Sequence, residues 1–281
     1  MNEDRETVCA IVVTYNRKKL LLECLEAIRR QTRPVQGIYI IDNASTDGTP
    51  EFLKENGYIN ELPPENLAKP WEKEFTIENL VDGKEIRVYY VRMHENTGGA
   101  GGFHEGVKRA YEKGYDWLWL MDDDVEPLPD GLHKQLSYKH LGLCMHPTKV
   151  TIDGEIFPFE GILDIATGFV YLKKSEDFRK MKQYTYINYG CFEGMLLHRS
   201  VVSIVGLPEK KFFLYYDDTY YGYMINKVTN VLYIKDICFV KKLKRNSHGL
   251  NKLELYLHFR NYIGYLARKV CEDKRRYWSL A

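Results

Sequence analysis

Two rhythms of apolar and polar residues alternate along the first half of the chain, and the switches between them lay out its elements. Val8-Cys-Ala-Ile-Val-Val13 is a continuous apolar run rich in β-branched residues, the pattern of a strand buried on both faces. Thr14-Tyr-Asn-Arg17 follows as a turn. Leu20, Leu21, Cys24, Leu25 and Ile28 then recur at helical spacing, which predicts an amphipathic helix over Lys18–Gln31 that Pro34 stops. Gly37-Ile-Tyr-Ile-Ile41 reads as the next strand, and the turn-rich loop Asp42–Gly48 leads to a helix over Thr49–Asn56 with Pro50 in its first turn. This succession predicts a parallel sheet of right-handed βαβ units.

Residues 57–86 break the rhythm with Pro63-Pro64, Pro70 and Asp82-Gly83, and are expected to form an inserted loop or hairpin. Regular patterning resumes with a strand over Arg87–Arg92, then Asn96-Thr-Gly-Gly-Ala-Gly-Gly102, a helix over Phe103–Lys113 and a strand over Trp117–Met121 that ends on Asp122-Asp-Asp124. Residues 126–240 read as mixed sheet and helix, and a helix is expected over about 250–276.

Composition narrows the function classes. Hydrophobic residues at 44% and charged residues at 28% exclude a disordered or fibrous chain. Basic and acidic residues nearly cancel, 40 against 39, so the whole protein is no polyanion binder and no nucleic-acid partner is expected. The distribution is uneven: from Lys235 onward there are 12 Lys/Arg and 4 Asp/Glu. A basic tail on an acidic body suits an anionic membrane surface or a phosphate-rich partner, and equally a solvated face. The six cysteines lie far apart without a CxxC pair, several inside apolar runs, where buried reduced thiols are expected. Met1–Thr7 is polar and acidic, unlike a signal peptide, and no apolar run approaches the roughly 20 residues of a spanning helix. The expectation is a cytoplasmic protein, with a peripheral place on the inner face of the membrane as the role of the basic tail.

The triple Asp is the strongest chemical signal. In open α/β sheets, ligands bind just beyond the carboxyl ends of strands. Alternate residues of an extended chain point the same way, so Asp122 and Asp124 converge while Asp123 faces elsewhere. Adjacent carboxylates repel unless a cation neutralises them, and hard oxygen ligands suit Mg²⁺ or Mn²⁺. An exposed acidic turn is the competing reading.

The strings Val12-Val-Thr-Tyr-Asn-Arg17, Ile41-Asp-Asn-Ala-Ser-Thr-Asp-Gly48, Asn96–Gly102 and Met121-Asp-Asp-Asp124, in that order, closely resemble the inverting family-two glycosyltransferases of the GT-A fold. Gly-Gly-Ala-Gly-Gly-Phe before a triple Asp is most similar to the bacterial galactofuranosyltransferase and rhamnosyltransferase branches, which build cell-surface polysaccharides. The resemblance implies an α/β fold with a Rossmann-like, mostly parallel sheet and flanking helices. It also implies a transferase domain over 1–240, split into a nucleotide-binding half (1–125) and an acceptor-binding half (126–240), and a basic helical extension over 241–281.

On this reading Thr14 and Asn16 sit at the nucleotide crevice, and Asp42 accepts a hydrogen bond from the imide N–H of uracil or thymine. Asn96, Gly98 and Gly99 let backbone approach the ribose and sugar, and Asp122 and Asp123 complete the nucleotide set. The aromatic strand Phe212-Phe-Leu-Tyr-Tyr-Asp-Asp218 delivers the family's paired acids, with Asp218 preferred to Asp217 as the base that deprotonates the acceptor hydroxyl. A helix-capping Asp pair is the bland alternative. Asn188–Met195 resembles the acceptor-side loop, with Glu193 binding a hydroxyl and Gly194 in a tight turn; His258 and Arg260 are expected to face the diphosphate or sugar.

Family members often place a histidine as third metal ligand after the acidic pair. Here Lys241 and Lys242 stand where it is first sought, so the ligand is either His248 or the set formed by the aspartates, diphosphate and water. The implied donor is UDP-galactofuranose or dTDP-rhamnose, and the acceptor a glycan or lipid-linked glycan. A nucleotidyltransferase and a non-catalytic carbohydrate-binding protein are the alternatives. The first lacks a basic glycine-rich triphosphate loop here; the second needs neither acidic constellation.

Overall fold

β1 (Val8–Thr14), buried along its whole length, pairs in parallel with β2 (Gly37–Asp42) on one side and β5 (Trp117–Asp122) on the other. β4 (Glu85–Arg92) adds in parallel to β2, so four parallel strands form the core that the sequence pattern predicts. The computed structural model describes residues 6–164, 167, 169–172, 180–243 and 251–266. Further strands, in antiparallel and parallel pairs, extend the core on both sides. β3 (Trp71–Glu78) forms the expected hairpin with β4. Beyond β5 come β11 (Met195–His198), β7 (Cys144–Thr151), β12 (Val231–Lys241) and β10 (Tyr184–Ile187), with β6 (Val125–Pro127) paired to the end of β12. Two short strands, Gly161–Leu163 and Val170–Leu172, form a separate ribbon.

Side-chain alternation on β1 splits the core in two. Val8, Ala10 and Val12 face α1 (Lys18–Arg29), packing with Leu21, Cys24, Leu25 and Ile28. Cys9, Ile11 and Val13 face α3 (Gly98–Lys113), packing with Phe103, Val107 and Ala110. α2 (Thr49–Glu55) starts with Pro50 in its first turn, as expected. The five described cysteines are buried and free, and Cys271 lies outside the described residues. Among the described residues no helix is long and apolar enough to cross a membrane.

Two elements differ from the sequence expectation. The glycine-rich segment is not a loop before a helix: α3 begins at Gly98 and includes all four glycines through Gly102. Its glycines serve packing. A Cβ on Gly102 would lie 2.5 Å from Val13 Cγ1, and one on Gly106 would collide with Ile11 Cγ2, so α3 rests directly on β1. The run Phe212–Asp218 is not a strand either. A short 3₁₀ turn (Lys210–Phe212) gives way to an irregular loop, and Asp217 opens α6 (Asp217–Asn226); α4 (Gly131–Leu136) and α5 (Arg199–Val205) precede it. The C-terminal helix is α7 (Lys252–Phe259), which continues as a π-helical turn over Arg260–Leu266; its expected remainder, 267–276, and most of the basic tail lie outside the described residues.

Because α3 lies against β1 with no room for a methyl group, Gly106→Ala is expected to lower stability by about 1–3 kcal/mol through overpacking. Urea unfolding of the variant beside the parent measures this, and an unchanged midpoint would mean that the helix can lift from the sheet without loss.

Candidate functional site

The C-terminal end of β5 brings the triple Asp to the edge of a cavity of about 450 Å³. β11 pairs antiparallel with β5, and Gly194 N–H donates to Leu120 O at 2.8 Å, which sets the preceding Glu193 beside Asp122. Ligand oxygens of Asp122, Asp124 and Glu193 lie within 4.8 Å of one another. Asp123 turns away, as strand alternation requires: its carboxylate accepts from Thr14 Oγ1 at 2.7 Å and from Arg17 Nη1 at 3.0 Å. Arg17 also reaches Asp124 at 3.1 Å.

A second cation enters from β12. Its last residue, Lys241, is registered opposite Val125 of β6, the residue after Asp124. Lys241 Nζ lies 2.7 Å from Asp124 Oδ1 and also bonds the Glu193 carboxylate. Burial opposes the charge on Lys241, yet Glu193 and Asp124 outweigh it and hold the ammonium well above its ordinary range. Asp122 is pushed well up, by burial first and then by the charges of Glu193 and Asp124. Asp123 rises only to about 6, because Arg17 and Thr14 counter its burial. Beneath Glu193, the fully buried Lys149 and Glu160 pair, and Lys149 Nζ donates to Glu193 O at 3.3 Å, fixing the Cys191–Glu193 turn from below.

Asp217 and Asp218 line the same cavity from the first turn of α6. Burial pushes both carboxyl groups up. Asp217 reaches about 8, with the adjacent Asp218 charge adding to its burial. Asp218 rises to about 6, because Thr219 N–H and hydroxyl, at 2.6 and 3.2 Å, favour its charged form. The loop before the pair holds three non-glycine residues at positive φ, Phe213, Tyr215 and Tyr216 (64°, 67° and 69°). It is braced from outside. Buried Asn261 donates through Nδ2 to the carbonyls of Phe212, Leu214 and Tyr215 at 2.9, 2.6 and 3.0 Å, and Ala100 N–H donates to Phe213 O at 3.1 Å.

Of the other expected site residues, Gly99 lines the cavity and Gly98 does not: it is buried against the Phe213 backbone, where a Cβ would collide. Asn96 caps the turn into α3, its Oδ1 accepting from Gly98 N–H at 2.9 Å. Exposed Asn16 accepts from Thr46 N–H at 2.6 Å, tying the turn after β1 to the loop after β2. Thr14 is buried behind Asp123. Asp42 is fully buried, and its carboxylate accepts from Ser45 N–H, Tyr90 Oη and Arg92 Nη1 at 2.8, 2.6 and 2.6 Å. The imide contact expected of Asp42 is therefore not open here; its role is to hold the loop that follows.

Gly194 supports the turn below Glu193, at φ 87° under Phe239 and Pro147. His258 and Arg260 do not face the cavity as expected. His258 stacks on Tyr215 at 4.0 Å, and Arg260 donates to the carbonyls of Lys211 and Phe212. His248 lies outside the described residues. The site residues that sequence reasoning passed over are Arg17, Lys149, Lys241 and Asn261. Arg17 stood inside a quoted motif, and Lys241 was noted only as the absence of a histidine.

A family model, glycosyl transferase family 2, matches residues 9–60 and 74–205. Galactofuranosyltransferase GlfT1 of Mycolicibacterium smegmatis is 26% identical over 221 residues, which cover 76% of this chain and 63% of that protein. The chain thus spans less than two thirds of that relative's length. Among solved structures, GalNAc-T7 with UDP, GalNAc and Mn²⁺ superposes with a TM-score of 0.65 at 15% identity, over 92% of this chain and 48% of that one. S. aureus TarS 1-349 in complex with UDP superposes with a TM-score of 0.56 at 12% identity, over 85% and 61%. Both likenesses show the fold.

Asn261 is the buried donor that three carbonyls share, so Asn261→Ala is expected to cost about 1–3 kcal/mol of stability. Asn261→Asp, similar in shape but directing oxygen at oxygen, is expected to cost at least as much. Urea unfolding of the two variants measures both, and a neutral Asp variant would remove Asn261 from the bracing of the loop.

Proposed function

The chain belongs to glycosyl transferase family 2, a GT-A fold, and from that premise we propose that it moves a hexosyl group from a nucleotide-diphosphate donor to a hydroxyl of a growing cell-wall or cell-surface glycan, with inversion at the sugar carbon. One observation carries the reading: two acidic constellations far apart in sequence, Asp122 and Asp124 with Glu193, and Asp217-Asp218, line one cavity. The first suits a cation beside a diphosphate; the second suits proton removal from an acceptor.

The donor set fits a divalent ion. Asp122, Asp124 and Glu193 offer hard oxygens, and the three acids outnumber the two cations bonded to the cluster, Arg17 and Lys241. Bound there, Mn²⁺ or Mg²⁺ would supply charge neutralisation for the departing diphosphate. Arg17, at the rim, provides a further positive charge toward the same phosphates. Asp218 serves as base. Burial raises both carboxyl groups, but Thr219 favours the charged form of Asp218 while the Asp218 charge raises Asp217 further, so the negative charge of the pair falls to Asp218. Glu193, held by Lys241 and Lys149, positions the acceptor hydroxyl or the sugar.

The similarity to GlfT1 supports a galactofuranose-like donor, with rhamnose as the second candidate, and the UDP named in the TarS and GalNAc-T7 structures supports a uridine nucleotide. The acceptor is a glycan or lipid-linked glycan. The basic residues beyond Lys242 suit an anionic membrane face on which such a lipid waits. The 1–240 and 241–281 division is kept with one change: Lys241 and the 251–266 segment work with the transferase domain.

Calorimetry of UDP titrated into the protein with and without Mn²⁺ tests the donor reading. Saturable uptake strengthened by Mn²⁺ is expected, and no uptake under either condition would sink it. Asp218→Asn should keep UDP affinity and lower turnover by about 10²–10⁴-fold, while Asp217→Asn should lose less. Because the ionised form of Asp218 is the active one, kcat/KM should climb as pH rises through about 6. A rise centred near 8, with Asp217→Asn the dead variant, would exchange the two roles.

A further inference from the structure

A cation of the protein's own already stands among the carboxylates proposed to hold the metal. Lys241 Nζ is 2.7 Å from Asp124 Oδ1 and bonded to Glu193, two of the three convergent acids. Its backbone is pinned between Val125 of β6 and Thr151 of β7, and only 8% of the residue is exposed. The lysine stem is flexible where the strand is not, so the ammonium can leave the acids without any backbone shift. It has somewhere to go: the Phe157 ring, on the same cavity wall, lies 5.8 Å from Nζ.

We propose that Lys241 is a tethered cation of the acidic cluster, one that a divalent metal has to displace from Asp124 and Glu193, so that metal and nucleotide diphosphate bind together rather than in turn. A divalent ion entering alone meets two resident positive charges, Arg17 and Lys241, on the oxygens it needs. A diphosphate arriving with the ion adds negative charge that can take over the displaced ammonium. Each ligand therefore raises the affinity for the other, as linkage between the two sites requires. The inference rests on the nucleotide-diphosphate reading given above.

The test is Mn²⁺ titrated into the full chain, with and without UDP, read by calorimetry and by the shift of the thermal midpoint. The parent protein is expected to bind Mn²⁺ weakly alone and more tightly with UDP present. Lys241→Met should bind Mn²⁺ alone about tenfold more tightly or better, since one positive charge a few ångströms from the ion is gone, and the gain from UDP should shrink. Lys241→Gln, uncharged but still able to hydrogen-bond Asp124, should behave likewise and covers the case of a Met variant that does not fold. If both uncharged variants bind Mn²⁺ alone no better than a parent that does bind UDP, Lys241 is not the competing cation and the transferase reading survives. A parent that takes up neither ligand overturns both.

Discussion

Repulsion among the carboxylates at the end of β5 is the constraint to which the rest of the site answers. Two unit charges 4.8 Å apart repel by roughly 3.5 kcal/mol at an effective dielectric constant of 20, and Asp122, Asp124 and Glu193 converge within that distance. A fold can hold such a group only by bringing cations to it or by letting its members take up protons more readily. Both happen here. Arg17 comes from the turn after β1 and Lys241 from the far end of β12, whereas Asp122 is pushed well up. Lys149 and Glu160 form a buried second tier that keeps Glu193 from retreating. Such an arrangement is weak as a source of stability, since buried ion pairs seldom repay their desolvation, but it sets charged groups in fixed positions before any ligand arrives.

The acidic pair has a different origin. Asp217 and Asp218 are aimed into the cavity by a loop whose backbone does not favour itself: three non-glycine residues at positive φ cost on the order of 1–3 kcal/mol each. The compensation is supplied from two directions. α3 begins under the loop, with Gly98 bare so that the Phe213 backbone can touch it, and Asn261 gathers three carbonyls from the C-terminal side. The segment after α7 is therefore no appendage to the site. Asn261 and Arg260, which join it to the loop before α6, hold the proposed base in place.

The parts of the fold that were legible in the sequence are those set by local periodicity. β1, α1, β2, α2 and β5 fall within about two residues of their expected bounds, because strand and helix rhythms there coincide with burial on the sheet. Asp122 and Asp124 were legible for the same reason, standing directly after a recognisable apolar strand, whereas Glu193 came from the resemblance of its loop and as a hydroxyl binder, not as the third acid of the cluster. The failures are non-local. Four glycines argued against a helix at 98–102, yet the close approach of α3 to β1 overrode that propensity. An aromatic run argued for a strand at 212–216, but the partners that bend it away, Asn261 and Arg260, lie far along the chain. Lys241 was legible as a position and not as a chemistry, since the reading there sought a metal ligand and the chain presents a cation.

The charged groups of the site bear on the competing functions. A nucleotidyltransferase would call for a basic glycine-rich loop to gather the negative charge of a triphosphate, and the turn after β1 is Thr14-Tyr-Asn-Arg17 instead. A protein that merely bound carbohydrate would gain from the stacked rings of Phe157 and Phe159 but would have no use for three crowded acids, whose repulsion only adds to the cost of folding. Stored repulsion becomes useful when a cation and a diphosphate arrive to relieve it and leave once the diphosphate departs without its sugar. Asp217 and Asp218 stand on a separate helix and are raised first by their own burial, while the Glu193 charge also raises Asp218, so relieving the cluster would ease ionisation of the proposed base. On the proposed reading, keeping the two acidic groups on different elements of one cavity would let a single chain support leaving-group departure and proton removal at once.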